Sequence, residues 1–474
     1  MPLVDVQEVS RRVPGPVVEL CRALRRAGHE AWLVGGAVRD LLRGREAHDF
    51  DIATSARPDE VARVFGRKRT IPTGAAHGTV TVLLDKELAA RLGLAHHGGV
   101  EVTTFRGEGA YSDGRHPDSV EFVSDLVEDL RRRDFTINAL ALDADAARLE
   151  DPFGGSGDLE AGILRAVGEA SQRFAEDGLR VMRAVRFAAQ LGFRLDPETE
   201  AAIPGALPVF RKVSAERVRD ELLKLLGAPR PSVGLRLMER TGLLAEVLPE
   251  LREGIGFPQN RFHAHDVWEH TLATVDETRA DPVVRLAALL HDVAKPRTAA
   301  PKEDAPGEHT FYRHDLVGAE MADAIGRRLR LSNEERARVV ALVGHHMFWY
   351  SPEWTDGAVR RFIGKVGPEL LPDLFALREG DVRGRGRGED PGVELDELKR
   401  RIEAEIVAER ALKITDLAVG GGDVMRVLGV RPGPIVGEVL RRLLERVLDD
   451  PALNEREALE RLIPSVAAEV GSAG

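Results

Sequence analysis

The sequence predicts an α+β protein: a small mixed sheet with helices at the N-terminal end, followed by an all-α remainder. Three observations carry this. Helix-like and strand-like signals alternate through the first 150 residues; beyond about residue 158 the strand signals vanish and amphipathic helical spacing takes over. Within that helical half, GIGFPQN at 254–260 and RGRGRGEDPG at 383–392 offer nothing to bury. Boundaries at these breaks divide the chain into 1–157, 158–253, 254–390 and 391–474.

The elements follow in order. VVELCRALRRAG has apolar residues at helical spacing and closes on Gly28, and AWLV then reads as a short buried strand. Gly35 and Gly36 turn the chain into AVRDLLRG, a brief helix ended by Gly44, and HDFDIAT reads as the next strand. GTVTVLL and GVEVTTFR are rich in β-branched residues and read as strands. DLVEDLRRRDFTINALALD and EDGLRVMRAVRFAAQLGF read as basic helices, and SAERVRDELLKLLG as a helix with a Ser214 N-cap and a terminal Gly. GGGDVMRVLGVRPGP at 420–434 either marks a further boundary or joins helices inside one domain.

Composition bounds the function. The 474 residues are 43% hydrophobic and 31% charged, enough to build sizeable cores in a soluble chain. The net charge of -11 gives no global positive field, so any nucleic-acid site is a local patch of arginines, with Arg131, Arg132, Arg360, Arg361, Arg383, Arg385 and Arg387 as candidates. Cys21 is the single cysteine, there is no apolar run of membrane-spanning length, and MPLVDVQEVSRRVPG lacks the apolar core of a signal peptide. A cytoplasmic protein with no membrane partner is expected.

The strongest chemical signal is LVGGAVRDLLRGREAHDFDIAT. On a strand, the period of 2 would put Asp49 and Asp51 on one face, and two such carboxylates repel unless a cation sits between them. Mg²⁺ takes carboxylate and phosphate oxygens together, which points to phosphoryl-group chemistry. Gly35 and Gly36 would bring backbone N–H groups to a triphosphate, Arg39 would add charge, and Glu101 is a candidate third metal carboxylate. A solvated strand end beside an ordinary turn is the alternative. The stretch resembles the active-site motif of the polymerase-β-type nucleotidyltransferases, the class of bacterial CCA-adding enzymes and poly(A) polymerases, at Gly35, Gly36, Val38, Arg39, Asp40, Asp49 and Asp51.

That resemblance extends along the chain. RRDFTINAL is similar to a family motif in which Arg133 would touch the triphosphate while Asp134 and Asn138 orient the sugar or a neighbouring loop. EDGLRVMRAVRF resembles the motif whose Asp and first Arg, here Asp177 and Arg180, act as a protein template, with Arg183 and Arg186 on the same broad helix side. A carboxylate accepts from the exocyclic amine of cytosine or adenine and a guanidinium donates to the adjacent ring nitrogen, so CTP and ATP would enter while GTP and UTP would not. SAERVRDELLKLL resembles a supporting neck motif, and GEGAYSDGRHPDSVEF, with Arg115 and Asp118, resembles the flexible loop of enzymes that add the terminal A. ELAARLGLAHHGG at 87–99 is an insertion without an assigned role.

Eight of the 14 histidines crowd between 263 and 346, and VWEHTL, LAALLHDVAK, YRHDLVGAE and LVGHHMFWY each place histidine at or near an apolar helical run where an unpaired imidazole is costly. Metal ligation would supply the partner, and imidazoles with carboxylates suit Ni, Mn, Co, Fe or Zn better than Mg. The order His270, His291-Asp292 and Asp381 resembles the HD phosphohydrolase superfamily, with His314 and His345 or His346 left for a second metal. An HD fold that has lost its metal is the alternative.

Together the resemblance implies a nucleotidyltransferase head at 1–157, a nucleotide-selecting neck at 158–253, an HD domain at 254–390 and a tRNA-binding tail at 391–474. It implies Mg-dependent, template-independent addition of CCA to the tRNA 3′ end from CTP and ATP, catalysed at Asp49 and Asp51. The alternatives are a poly(A) polymerase, an A-adding enzyme, or an HD phosphohydrolase with an RNA-binding head.

Overall fold

A computed structural model describes residues 2–85, 98–107, 122–259, 264–302, 309–388, 390, 392–408 and 413–472. The chain divides into two compact units, Met1–Arg252 and Glu253–Gly474. Where the sequence suggests a head and a neck, and an HD domain and a tail, each pair shares one unit.

The first unit is built on a seven-stranded sheet of β1 (Ala31–Val34), β2 (Asp51–Thr54), β3 (Thr70–Gly74), β4 (Thr79–Leu83), β5 (Gly99–Thr104), β6 (Ala141–Asp143) and β7 (Arg148–Glu150), in the order β3-β4-β5-β2-β1-β6-β7. β2 and β5 run parallel and every other pair antiparallel, so the sheet is mixed as expected. All four residues of β1 are buried, and Trp32, Val34, Ala53, Phe105 and Leu130 form a core on one face. The helices Gly15–Arg26 and Gly36–Leu42 stand where the apolar spacing put them.

Several elements differ from expectation. The strand in HDFDIAT begins at Asp51, because the ladder to β1 and β5 starts with Val34↔Asp51 and Asp51↔Glu101; Asp49 precedes it in exposed coil, so the alternation argument does not reach it. The basic stretch at 125–143 is not one helix: Leu126–Arg131 ends, the chain makes a 3-10 turn at Thr136–Asn138, and β6 follows. Nor is the later half free of strands. Ile163–Leu164 pairs with Arg194–Leu195 and Ala300–Pro301 with His309–Thr310, two-residue ladders too short to leave a period in the sequence.

The second unit is helical around the histidines. Val267–Glu277, Pro282–Leu290, His314–Arg328, Asn333–His345 and Leu371–Gly384 carry the HD segments. A Cβ at Gly380 would lie 2.2 Å from Thr278 Oγ1 and 2.9 Å from the Thr274 carbonyl oxygen, so only glycine lets Leu371–Gly384 approach Val267–Glu277 this closely. Gly421–Leu428, Pro434–Asp449 and Arg456–Ser472 share a core of Val424, Val439, Leu443 and Ile463, which settles 420–434 as a join inside one core.

Candidate active site and metal centre

A cleft of about 550 Å³ in the first unit gathers most of the expected transferase residues: Gly35, Gly36, Arg39, Asp49, Asp51, Arg133, Asp177, Arg180 and Arg183. Gly35, at a φ of 77°, takes the turn that starts the following helix, and a Cβ there would lie 3.2 Å from Arg133 Nη1. This turn sets the backbone against Arg133 and Asp51. Burial pushes the Asp51 carboxyl up to about 6, opposed by Arg133 and reinforced by Glu101 and Asp49. A half-buried carboxylate with two acidic neighbours fits a divalent cation, which would relieve both the desolvation and the repulsion. Glu101 faces Asp51 across the β2–β5 ladder but is exposed and does not line the cleft.

The cleft wall is a relay of ion pairs. Arg39 spends three donors, two on Asp40 at 2.9 and 2.8 Å and one on Asn138 Oδ1 at 2.7 Å. Asn138 Nδ2 donates to Asp134 at 3.1 Å, and Arg183 Nε donates to the other Asp134 oxygen at 2.7 Å. Burial alone would raise Asp134; the Arg183 charge and these hydrogen bonds hold it down at about 2. Arg133 is less committed, with one long bond to Asp129 at 3.4 Å and its Nε buried without a hydrogen-bond partner.

Asp177 is gripped by a residue outside the expected set. Arg217 donates to both its oxygens, at 3.2 and 2.7 Å, and the Leu179 N–H adds a third bond at 3.0 Å. Arg217 sits in SAERVRDELLKLL, where it reads as one more charge on a neck helix; only the fold brings it to the cleft. Arg180 is anchored by Glu176 at 2.5 Å and by the Arg173 and Arg132 carbonyls at 2.7 and 2.8 Å. Arg186 departs from the expected set. It is buried, donates to Glu221 at 2.5 Å and Gln190 at 2.6 Å, and does not line the cleft. Each three-residue step drifts about 60° around a helix, and two steps turn Arg186 away from Arg180 to the neighbouring helix.

The second unit holds two buried groups: His270, His291 and Asp381, and Asp292, His314 and His346, with the ligand atoms of each group within 4.8 Å of one another. In all four histidines Nδ1 faces a backbone carbonyl, at 3.1 Å for His270 to Gly384, 2.7 Å for His291 to Ala288, 2.6 Å for His314 to Phe311 and 2.7 Å for His346 to Val343. A carbonyl only accepts, so Nδ1–H donates and Nε2 is the ring atom turned inward as a ligand position. The His270 and His291 Nε2 atoms are 3.2 Å apart, as are those of His314 and His346. Burial pushes His346 down to about 3 and lowers His314, so that second pair is neutral and its lone pairs face one another. A metal ion satisfies this arrangement.

Asp292 stands between the groups. Its Oδ2 lies 3.1 Å from His291 and 3.4 Å from His270, and its Oδ1 3.5 Å from His314 and 3.8 Å from His346. Against its burial, His291 and Lys295 hold Asp292 well below the usual carboxylate range. Asp381 reaches His270 at 3.3 Å. His345 does not join: adjacent helical residues point about 100° apart, so when His346 faces the cluster His345 turns to a neighbouring cleft.

A family described as the poly A polymerase head domain matches residues 31–165, one described as a probable RNA and SrmB-binding site of polymerase A matches 192–255, and the HD domain matches 263–409. An A-adding tRNA nucleotidyltransferase from Deinococcus radiodurans is 41% identical over 432 residues, covering 88% of this chain and 91% of the relative. The chain belongs to the tRNA nucleotidyltransferase family. A family member from Lactiplantibacillus plantarum, a CCA-adding enzyme, is 35% identical over 448 residues, 94% of this chain and 93% of its own. The crystal structure of the Bacillus stearothermophilus CCA-adding enzyme in complex with CTP is 31% identical with a TM-score of 0.73, covering 96% of this chain and 98% of that one.

In this tRNA nucleotidyltransferase several expected contacts are already spent inside the fold. Arg360 is buried, bonding Glu405 at 2.9 Å and the Leu448 carbonyl at 2.6 Å, which removes it from any phosphate-binding patch. Arg132 pairs with Asp129 at 2.8 Å and Arg385 with Asp381 at 3.4 Å. The loop with Arg115 and Asp118, most of the insertion at 87–99, and His263 lie outside the described residues.

Proposed function

We propose that this protein adds CCA to the tRNA 3′ end from CTP and ATP, releasing pyrophosphate. The observation that carries the reading is one cleft holding both the acidic pair Asp49 and Asp51 and the base-reading pair Asp177 and Arg180. Asp49 and Asp51 would hold Mg²⁺, with Glu101 behind them; when bound, the metal lowers the pKa of the attacking 3′-hydroxyl and neutralises the leaving pyrophosphate. Arg133, with donors to spare, binds the triphosphate beside Gly35 and Gly36. Arg39, locked to Asp40 and Asn138, shapes that wall. Asp177 accepts from the base amine with a lone pair not used by Arg217, and Arg180 donates to the ring nitrogen.

The four-part division and the tRNA-binding tail belong to this reading, as does a cytoplasmic setting; among the described residues no helix is long and apolar enough to cross a membrane. The histidine cluster holds one or two transition metals, of which Ni, Mn, Co and Fe suit the ligand set, and supplies a phosphohydrolase activity. A second reading, addition of the terminal A alone, is favoured by the 41% identity to an A-adding relative. The deciding assay offers tRNA ending before CCA, tRNA ending in CC, and a generic RNA, each with labelled CTP, ATP, GTP or UTP. C followed by A on tRNA alone supports full CCA addition; A on the CC end only supports the second reading; long A tracts on generic RNA overturn both.

A further inference from the structure

Beside the histidine cluster the second unit carries another cleft, of about 380 Å³, lined by His345, Met347, Phe348, Trp349, Arg361 and Lys365 among others. Its lining includes a packed set of rings: Phe348 lies tilted against Phe362 and Trp354 meets it edge to face, with centroids 5.2 and 5.8 Å away. Trp349 is 71% exposed and, among the described residues, has no ring partner. Lone exposed apolar residues are ordinary, but this one has company. Met347 next to it is 57% exposed, and Tyr312, on the rim of the adjoining histidine pocket, is 81% exposed.

Cations are interleaved with these faces. Lys365 is exposed and makes no ion pair among the described residues. Arg361 shares itself with Asp449 at 2.8 Å and Glu445 at 3.6 Å while still lining the cleft, and Asp315 is the carboxylate on that lining. Met347 lines both the aromatic cleft and the histidine pocket, so the two adjoin at this side chain, and the histidine pocket's Lys295 and Arg385 are paired with Asp292 and Asp381. Open aromatic faces alternating with positive charge are what a single nucleic-acid strand needs: bases stack on rings and phosphates meet cations. A duplex hides its base faces, and an apolar peptide side chain has no use for Lys365.

We propose that this cleft is a subsite for single-stranded RNA, with a base stacked on Trp349, a phosphate at Lys365, and the strand running past Met347 to the histidine cluster. Binding stands on the cleft alone, whereas delivery to the cluster rests on the metal-centre reading given above. A pentaribonucleotide with a central 4-thiouridine is irradiated with the full-length protein, and the crosslinked peptides are mapped. Crosslinks are expected within residues 345–365. Trp349→Ala lowers that yield about tenfold, and Trp349→Phe, which keeps a ring, retains most of it. Lys365→Ala weakens the same crosslinks and flattens their salt dependence by about one unit of slope. Crosslinks confined to residues 1–252, or a yield indifferent to Trp349→Ala, overturn the subsite, including the case in which the cleft takes a peptide instead. Metal-dependent hydrolysis of bis(p-nitrophenyl) phosphate tests the cluster separately. If it is absent while the crosslinks persist, the delivery step fails and the binding step holds.

Discussion

Burial raises the Asp51 carboxyl from 3.8 to about 6, so the folded protein binds this proton more tightly than the unfolded chain does. Between those values stability falls as pH rises, and above about pH 6 the loss is complete, at most about 3 kcal/mol for some two units. Without metal, Asp51→Asn is therefore expected to melt a few degrees above wild type at pH 7.5, the gap closing toward pH 4. Mg²⁺ should raise the wild-type melting temperature and leave the variant's unchanged. Scanning fluorimetry in EDTA and in Mg²⁺ checks both, and equal melting curves in EDTA at pH 7.5 would contradict the account. The grip of Arg217 on Asp177, two bonds at 3.2 and 2.7 Å, makes a second residue-level prediction. With Arg217→Ala the carboxylate loses its charge-assisted pair and can rotate, so GTP and UTP incorporation relative to CTP and ATP should rise about tenfold. Lys at this position cannot make the bidentate bond and should restore fidelity only in part. Relative kcat/KM for the four nucleotides reads this out, and a fall in overall rate with unchanged base choice would make Arg217 merely structural.

At the level of elements, the histidine cluster depends on how closely two helices approach. Val267–Glu277 carries His270 and Leu371–Gly384 carries Asp381, and at Gly380 a Cβ would stand 2.2 Å from Thr278 Oγ1. Gly380→Ala must push the helices apart, at a cost of about 1–3 kcal/mol for overpacking. Asp381 should then leave His270, and metal content after dialysis against a transition metal should fall severalfold more than stability alone accounts for. Unchanged metal stoichiometry in a folded variant would sink this. Elements whose residues repeat at a fixed period were legible: AWLV, GTVTVLL and Ala215–Leu226 all fall where the alternation or the helical spacing puts them. The two-residue ladders, and the turn that ends the helix at Arg131, carry no period to detect. The site divides the same way. Asp49 and Asp51 stood out because chemistry made the pair costly without a cation, yet the strand that was to align them starts only at Asp51. The choice between His345 and His346 is a matter of helix phase, and the role of Arg217 depends on a contact 40 residues away in sequence.

For the whole molecule, the transferase cleft lies inside Met1–Arg252 and the histidine cluster inside Glu253–Gly474, each on its own core. Energetic effects of substitutions add when the sites share no partners and are well separated in the packing, so a change confined to one core should leave the other's chemistry near its starting value. Asp292 gives the sharpest test because it lies beside every histidine of the cluster and pairs with Lys295 at 2.6 Å. Asp292→Asn keeps the volume and removes the bridging charge, so bound transition metal should drop below half of wild type by elemental analysis, with any metal-dependent phosphoesterase lost. Nucleotide transfer to tRNA should stay within about twofold. Because Lys295 is left with a buried charge and less to pair with, the second unit should also unfold earlier on heating. A variant that keeps its metal would refute the bridging role of Asp292. One that loses both metal and transfer while the first unit stays folded would show that the two activities are coupled through the assembled protein rather than housed in separate units.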